Sequence, residues 1–351
     1  MSQAGLAGEW DVPGIRIREW TASTYSVTPV PTAVPAFVCL HEHKTTPHGI
    51  TGVAGLGGYA SVVRHVLAGY FANGGGPCWL VPVPEHSPEA YAQSLPLLKD
   101  GNAGVTIIAA PDLQEGAGRA EAQKWLAAHC TGQEWIALLD YPVDDTVLGS
   151  HCQYAAVYAP SIVMPSLDGP EQPPVTVPPC GHVAGVMART DGGRGVHVAP
   201  ANVPVNAVQA LEPDVASDAA QRRLGPHVNC LRWFPDRQTL VWGARTLSTD
   251  RYFRHLNVRR LVSHLKIVLR ESTGWVIDRP NDDATRDGLG AQVRRFLTEQ
   301  WLAGALAGDT ADDAFRVNCT STGTKISCAV KVAPLTPAEF VTFSFTQSAR
   351  V

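Results

Sequence analysis

Residues 71–83 read Phe71-Ala72-Asn73-Gly74-Gly75-Gly76-Pro77-Cys78-Trp79-Leu80-Val81-Pro82-Val83, three consecutive glycines in front of a short apolar run. Glycines let a backbone approach a phosphate closely. A phosphate-binding loop, however, runs strand, loop, helix, so that the amides and dipole of the helix N-terminus face the anion. Here the order is reversed. Ser61–Phe71 carries Val62, Val63, Val66, Leu67 and Tyr70 at helical spacing, so a helix precedes the glycines and a strand follows them. No Gly-Lys-Ser/Thr completes the loop, and Asn73 and Gly74 suit a helix C-terminus, where a left-handed residue ends the helix. The stretch is therefore read as a helix-to-strand junction.

Working outward, apolar runs recur at Ala36–Leu40, Cys78–Val83, Val105–Ala110, Trp135–Leu139 and Ala155–Val157, with helical segments at Glu89–Lys99 and Gly118–His129 between them. Strand alternating with helix at this interval implies an α/β domain with a largely parallel sheet. Residues 166–180 read as a proline-rich surface connection, followed by the apolar run Val183–Ala188 and a turn at Asp191–Gly195. The first domain is expected to end near residue 235, at the Trp233-Phe234-Pro235 turn. Beyond it, Leu240–Arg245 suggests a strand, and residues 258, 261, 262, 265, 268 and 269 make one apolar stripe of an amphipathic helix. A second helix is expected over Leu289–Ala305, with Leu289, Val293, Phe296, Leu297 and Trp301 on one face, after a connector at Trp275–Ile277. Alternation at Ile326–Val332 and Glu339–Phe345 predicts antiparallel strands. Near the N-terminus, Gly14–Glu19 alternates as an edge strand would, then a polar segment and prolines 29, 31 and 35 keep the chain extended. A strand held away from a body suits pairing with a sheet on another chain.

Composition narrows the function classes. Charged residues make up 17% against a usual level of about 25%, which suits burial against other chains. The net charge of -4 gives no basic footprint for nucleic acid or an anionic membrane. No apolar run approaches the roughly 20 residues that span a bilayer, and MSQAGLAGEWDVPG lacks the basic-then-apolar pattern of a secretory signal. The 8 cysteines (39, 78, 130, 152, 180, 230, 319 and 328) show no CxxC spacing and read mostly as reduced, buried thiols.

The chemical candidates are few. Gly52–Gly58 precedes a helix, but no strand leads into it, so a turn is favoured over a ligand loop. His41, Glu42, His43 and His48 form the densest metal-type group, though no third ligand with an orienting partner can be named, and a polar loop is the plainer reading. Hydrolase chemistry would need a nucleophile beside a histidine and an acid. Asp112, Asp140, His182 and His197 supply pieces, but there is no G-x-S-x-G elbow, and Cys180 and Cys230 lack a signature and read as inert core thiols. Arg245, Arg254, Arg259, Arg260, Arg294 and Arg295 recur in the second segment, either as a solvated face or as a docking surface for an acidic partner.

Four stretches together, FANGGGPCWLVPV, GVMARTDGGRGVHVAPANVPVN, LVWGARTLSTDRYFRHLNVRRLVSHLK and GALAGDTADDAFRVNC, resemble the contractile tail-sheath family of phage tails, R-type pyocins and extracellular contractile injection systems. WGARTL, VRRL and the AGDT-x-x-x-AF segment follow one another here at Trp242–Leu247, Val258–Leu261 and Ala307–Phe315. The chain departs where the family commonly reads PGVYIEE and FEPN, having Pro13–Glu19 (PGIRIRE) and Ile277–Asn281 (IDRPN) instead.

The resemblance implies an α/β fold: a non-catalytic, subtilisin-like α/β domain with a largely parallel sheet, a smaller α+β C-terminal domain next to an inner tube, and extended terminal strand arms. Mapped here, these are an arm at 1–26, the sheath domain at 27–235, the tube-proximal domain at 236–335 and a C-terminal arm at 336–351. The inter-subunit strands would be Gly14, Ile15, Arg16, Ile17, Arg18 and Glu19, and Phe340, Val341, Thr342, Phe343, Ser344 and Phe345. Arg294 and Arg295 are expected to face the tube. The implied function is a structural subunit that contracts from a metastable extended state and drives the tube through a target envelope, with no enzymatic activity and no cofactor. Implied partners are other copies in helically stacked hexameric rings, the inner tube protein, and baseplate and terminal cap proteins, with no nucleic acid and no membrane insertion. Synthesis in a bacterial cytoplasm without a signal peptide, then assembly into a phage tail or tail-like particle, is the implied location. The alternatives are an α/β hydrolase centred on Asp140 or His197 and a ligand-binding module using the 52–58 glycines.

Overall fold

The computed structural model describes residues 26–98, 104–113, 118–143, 148–213 and 217–339; both terminal strand segments, 14–19 and 340–345, lie outside them. The chain begins as α/β: β1 (Pro35–Leu40), β2 (His48–Ile50), α1 (Ser61–Ala72), β3 (Cys78–Val83), α2 (Pro88–Ser94), β4 (Ile107–Ala109), α3 (Arg119–Gln133), β5 (Ile136–Asp140) and β6 (Ala155–Ala159). There follow β7 (Ser161–Met164), β8 (Val175–Val177), α4 (Cys180–Arg194), β9 (Val203–Pro204), β10 (Ala210–Glu212), α5 (Asp218–Leu224), β11 (Val228–Phe234) and β12 (Gln238–Val241). The remainder is α6 (Leu256–Ser272), α7 (Asp283–Leu302), the short α8 (Ala311–Ala314), β13 (Phe315–Thr322) and β14 (Lys325–Val332).

A 9-stranded sheet runs β2-β3-β1-β4-β5-β6-β11-β12-β9, and every pairing from β3 through β11 is parallel. Such a sheet must be covered on both faces, so its strands read as continuous apolar runs. Alternate residues of β1 show the two layers: Phe37 and Cys39 pack with α1 and α4, whereas Ala36 and Val38 pack with α2 and α3. A smaller antiparallel sheet, β10-β7-β8, flanks the body.

The glycine junction is as its spacing implies. Asn73 caps α1, its side chain bonding the Gly69 carbonyl (2.8 Å) and both backbone groups of Asn206 (2.8 and 3.1 Å). Gly74 holds φ +94°, open to glycine at little cost. A side chain on Gly75 would strike the Tyr70 ring at 2.5 Å. Two of the three glycines are thus explained by turning and packing.

Residues 180–194 depart from expectation. Val183–Ala188 and the supposed Asp191–Gly195 turn form one helix, α4, which closes only at Gly195 (φ +91°). Burial of Cys180–Met187 holds the helix, which carries the exposed Gly192 and Gly193 along despite their poor helix propensity. The helix lies unusually close to α1: a Cβ on Gly185 would sit 2.3 Å from the Tyr70 carbonyl, and one on Gly181 2.3 Å from that of Val66. Backbone cannot swing aside as a side-chain tip does, so Gly185→Ala is expected to lose about 1–3 kcal/mol through overpacking. Urea titration of the purified variant checks this; an unchanged midpoint would refute the close approach.

Two other stretches differ. The 166–180 connection contains β8, which pairs with β7. Residue 235 lies in the turn between β11 and β12, which pair antiparallel, so the large sheet continues past Pro235.

In the C-terminal part, α6 and α7 bury the expected stripes: Leu261, Leu265 and Val268 meet Leu289, Val293, Phe296 and Leu297. The hairpin β13–β14 packs its half-buried residues, among them Val317, Ile326 and Val330, on this cluster. Phe315–Thr322 was not expected as a strand. It pairs along its whole length and sets Cys319 opposite Cys328 at a Cα separation of 4.0 Å, where the two are joined by a disulfide. The expectation of reduced thiols therefore fails for this pair, while the other six cysteines form no disulfide among the described residues.

Candidate functional site

By sequence, the arginines of the second segment form either a solvated face or a docking surface. For three of them the structure gives a different role. Arg260 is 4% exposed and grips Asp191 of α4 with two hydrogen bonds (3.1 and 2.6 Å) while donating a third to the Thr32 carbonyl (2.8 Å). Arg259 is 1% exposed, reaches Glu134 just past α3 (2.9 Å), and lies over the Tyr154 and Phe253 rings. Glu134 sits at a left-handed C-cap (φ 61°) and also takes Lys266 (2.9 Å). Arg245 pairs with Glu339. Helix α6 is therefore bolted to the α/β body by two buried arginines: Arg260 holds Asp191 in a bidentate fork that lysine would not supply, and Arg259 makes a single bond to Glu134. The sequence carried no signal of this, because at 3.6 residues per turn Arg259 and Arg260 fall away from the apolar stripe, where a solvated face is the ordinary reading.

Arg294 is exposed and Arg295 half-buried on α7, and a Cβ on Gly290 would approach both Arg294 and Cys319 of the hairpin.

The second feature is the β13–β14 hairpin itself. Both strands are 8 residues long, and among the described residues no third strand joins their sheet. Each outer edge thus presents a row of backbone donors and acceptors suited to strand addition. Both ends of the described chain run over this same unit. Val27 and Val30 pack on its apolar cluster, Thr28 N donates to Ser272 Oγ (2.9 Å), and Gln292 donates to the Ser26 carbonyl (3.3 Å). At the other end Ala307 N bonds the Ala333 carbonyl (2.7 Å) and Asn257 the Leu335 carbonyl (3.3 Å).

The catalytic candidates are not brought together. Asp140 Oδ1 accepts from the Cys180 amide (3.1 Å) at the start of α4, while His197 lies beyond its other end, about 22 Å away at 1.5 Å per residue. His182 is fully buried against Gly69. Asp112 does have a histidine, which sequence reasoning missed: His86 Nε2 at 2.9 Å. The other ring nitrogen meets the buried Tyr91 hydroxyl (2.8 Å), and Asp112 Oδ2 takes the Leu40 amide (2.7 Å), so the chain of bonds ties strand ends together and leaves no ring nitrogen for a nucleophile. His41 Nδ1 accepts from the amides of His43 and Lys44 (3.1 Å each), which makes it a loop brace. Among the described residues no group of three or more metal-type side chains is placed to hold an ion. In the 52–58 loop, Leu56 and Tyr59 anchor the turn to the core.

Burial pushes the Asp140 carboxyl up to about 7 from 3.8, opposed by its bond with Cys180 and by Arg119. A raised acid stabilises the fold while protonated, an advantage held below pH 3.8 and lost as pH rises to 7. His182 slopes oppositely: burial lowers it to about 4, so stability falls as pH drops below 6.5. Asp140→Asn keeps the acceptor but cannot ionise. It is expected to match the parent at pH 4 and exceed it by about 2 kcal/mol at pH 8, allowing roughly half of the full shift for solvent access. Denaturation at both pH values checks this, since His182 is common to both proteins and cancels.

An α/β body is thus bolted through buried arginines to a smaller unit that carries an open-edged hairpin and both ends of the described chain. Comparison with known proteins gives the class. The family model for the phage tail sheath C-terminal domain matches residues 248–348. The chain is 30% identical to the helical sheath of the anti-feeding prophage in its contracted state, with a TM-score of 0.81, over 96% of this chain and 99% of that one. It is 26% identical to the sheath complex of the extracellular contractile injection system PVC, also contracted (TM-score 0.75, covering 96% and 98%). A sheath tail protein from Desulfitobacterium hafniense shares the fold alone, at 9% identity and TM-score 0.61 over 92% and 100%. No curated sequence matches. The chain belongs to the contractile tail-sheath family.

Proposed function

We propose that this protein is the structural subunit of a contractile sheath, stacked as hexameric rings around an inner tube and assembled on a baseplate, with a cap at the far end. The observation that carries the reading is the co-location of the open-edged hairpin β13–β14 with both departing chain ends. Residues 14–19 and 340–345 act as strands donated to hairpins of neighbouring copies. Backbone pairing supplies such links with continuity while the bodies rotate. The α/β body is the outer, subtilisin-like and non-catalytic domain, and we place its end after β12, not at 235, because the hairpin β11–β12 belongs to the large sheet. The C-terminal unit lies against the tube, with Arg294 and Arg295 as contacts. No cofactor is required, because contraction draws on contact gains repeated along the tube. Among the described residues no helix is long and apolar enough to cross a membrane, and we assign the protein's action to the assembled particle.

Co-expression with the cognate tube protein tests this reading. Negative-stain images are expected to show sheathed tubes for the parent, and Arg294→Glu with Arg295→Glu is expected to cut tube-bound sheath at least tenfold while leaving the chain folded. Persistent monomers from the parent would overturn the sheath reading, and unchanged co-assembly of the variant would remove the two arginines from the contact.

A further inference from the structure

The geometry points to Arg245 and Glu339 as the clamp that fixes where the C-terminal arm leaves the body, a positioning role that rests on reading residues beyond 339 as a donated arm. Arg245 lies in the WGARTL segment, away from the hairpin. Its backbone is braced on both sides by one buried side chain: Arg245 N donates to Asn229 Oδ1 (2.7 Å), and Asn229 Nδ2 donates to the Arg245 carbonyl (2.8 Å). An isolated bridge to His255 fixes the same backbone from the other flank. The guanidinium adds a bond to the Pro226 carbonyl (3.1 Å) and is thereby aimed before the arm arrives.

Glu339 completes the arrangement. Its two oxygens accept from Nε (2.7 Å) and Nη2 (2.6 Å) of Arg245, with His255 Nδ1 3.7 Å from the first oxygen. The hydrogen bonds from Arg245 hold the Glu339 carboxyl below its ordinary value, so it stays ionised at neutral pH. Both side chains are 23% exposed, dry enough for a bidentate pair to hold a chain segment. Between the last residue of β14 and this carboxylate, the backbone is held at Ala333, by Ala307, and at Leu335, by Asn257 and Ala305. Prolines at 334 and 337 stiffen the same stretch. The root of the arm is therefore stapled at intervals, and Glu339 is its outermost staple. Releasing it lengthens the free arm back to Leu335 and removes the fixed direction. The arm's effective concentration at a neighbouring hairpin then falls, because a longer flexible tether samples more positions that do not reach the target.

The test uses the full chain as Glu339→Gln, Arg245→Glu, and the swap of both, Arg245→Glu with Glu339→Arg. Hydrogen exchange at the Leu335 amide, the bonded amide next inward from Glu339, is expected to rise at least tenfold in each single variant, with β13 and β14 unchanged, and assembled tube is expected to fall at least threefold. The swap restores both readouts in part, which loss of overall stability would not do. Unchanged exchange at Leu335 in Glu339→Gln, or a swap no better than the single variants, overturns the clamp. A chain ending at Glu339 separates this from the reading beneath it: tubes formed without residues 340–351 would refute the donated arm, whereas the exchange result judges the clamp by itself.

Discussion

Arg260→Ala is expected to destabilise the chain by about 3–5 kcal/mol, because it leaves the Asp191 carboxylate nearly inaccessible and without its cation. Both side chains are nearly inaccessible (3% and 4%), and the arginine also leaves the Thr32 carbonyl without its donor. Against a total stability of about 5–15 kcal/mol, such a loss leaves the body marginal at best. Arg260→Lys should fall between the two, since it keeps the charge and loses the fork. Removing both partners, Arg260→Ala with Asp191→Ala, should recover part of the loss, because the larger share of the penalty is the buried unpaired charge. Chemical denaturation of the set checks the series. A single variant within about 0.5 kcal/mol of the parent, the range of ordinary surface changes, would mean that Arg260 is not the bolt described.

The second large effect concerns assembly, not folding. Deleting residues 1–20 removes the proposed donated strand and leaves the anchoring segment from Ser26 onward, with its bonds to Ser272 and Gln292, in place. The shortened chain is expected to keep its unfolding midpoint and to lose extended-state assembly altogether. Midpoint and sedimentation together decide this. Full-length tubes from the shortened chain would show that the N-terminal strand is not donated, and a collapsed midpoint would show that it is part of the body.

Much of the fold was legible because parallel α/β architecture writes itself as alternating apolar runs and helical stripes. Residues 61–83 gave helix, cap, turn and strand in order, since Gly74 needs a positive φ and Val81 and Val83 need burial. What escaped was set by tertiary contact. Helix α4 contains Gly181, Gly185, Gly192 and Gly193, which locally argue for a turn, yet the first two are there to let α1 approach. The arginines of VRRL carry no sign of their acid partners, since Asp191 and Glu134 are 69 and 125 residues away. The Cys319–Cys328 pairing was obscured because the short apolar alternation Phe315, Val317, Cys319 runs out into polar Thr320–Thr322; once that segment is paired around Gly323 and Thr324, the register places the two cysteines opposite each other. The candidate catalytic residues were scattered by the fold. Asp140 and His197 mark opposite ends of one helix, and the one Asp–His contact that exists uses its second nitrogen to hold a tyrosine.

The central claim is that neighbouring copies are joined by strands added to the β13–β14 hairpin. A cryo-EM reconstruction of tubes assembled from the full chain measures this directly. The account predicts that residues 14–19 and 340–345 of neighbouring copies lie along the open edges of β13 and β14, continuing the sheet. Tubes in which the hairpin stays two-stranded, or is flanked only by segments of its own chain, would contradict it.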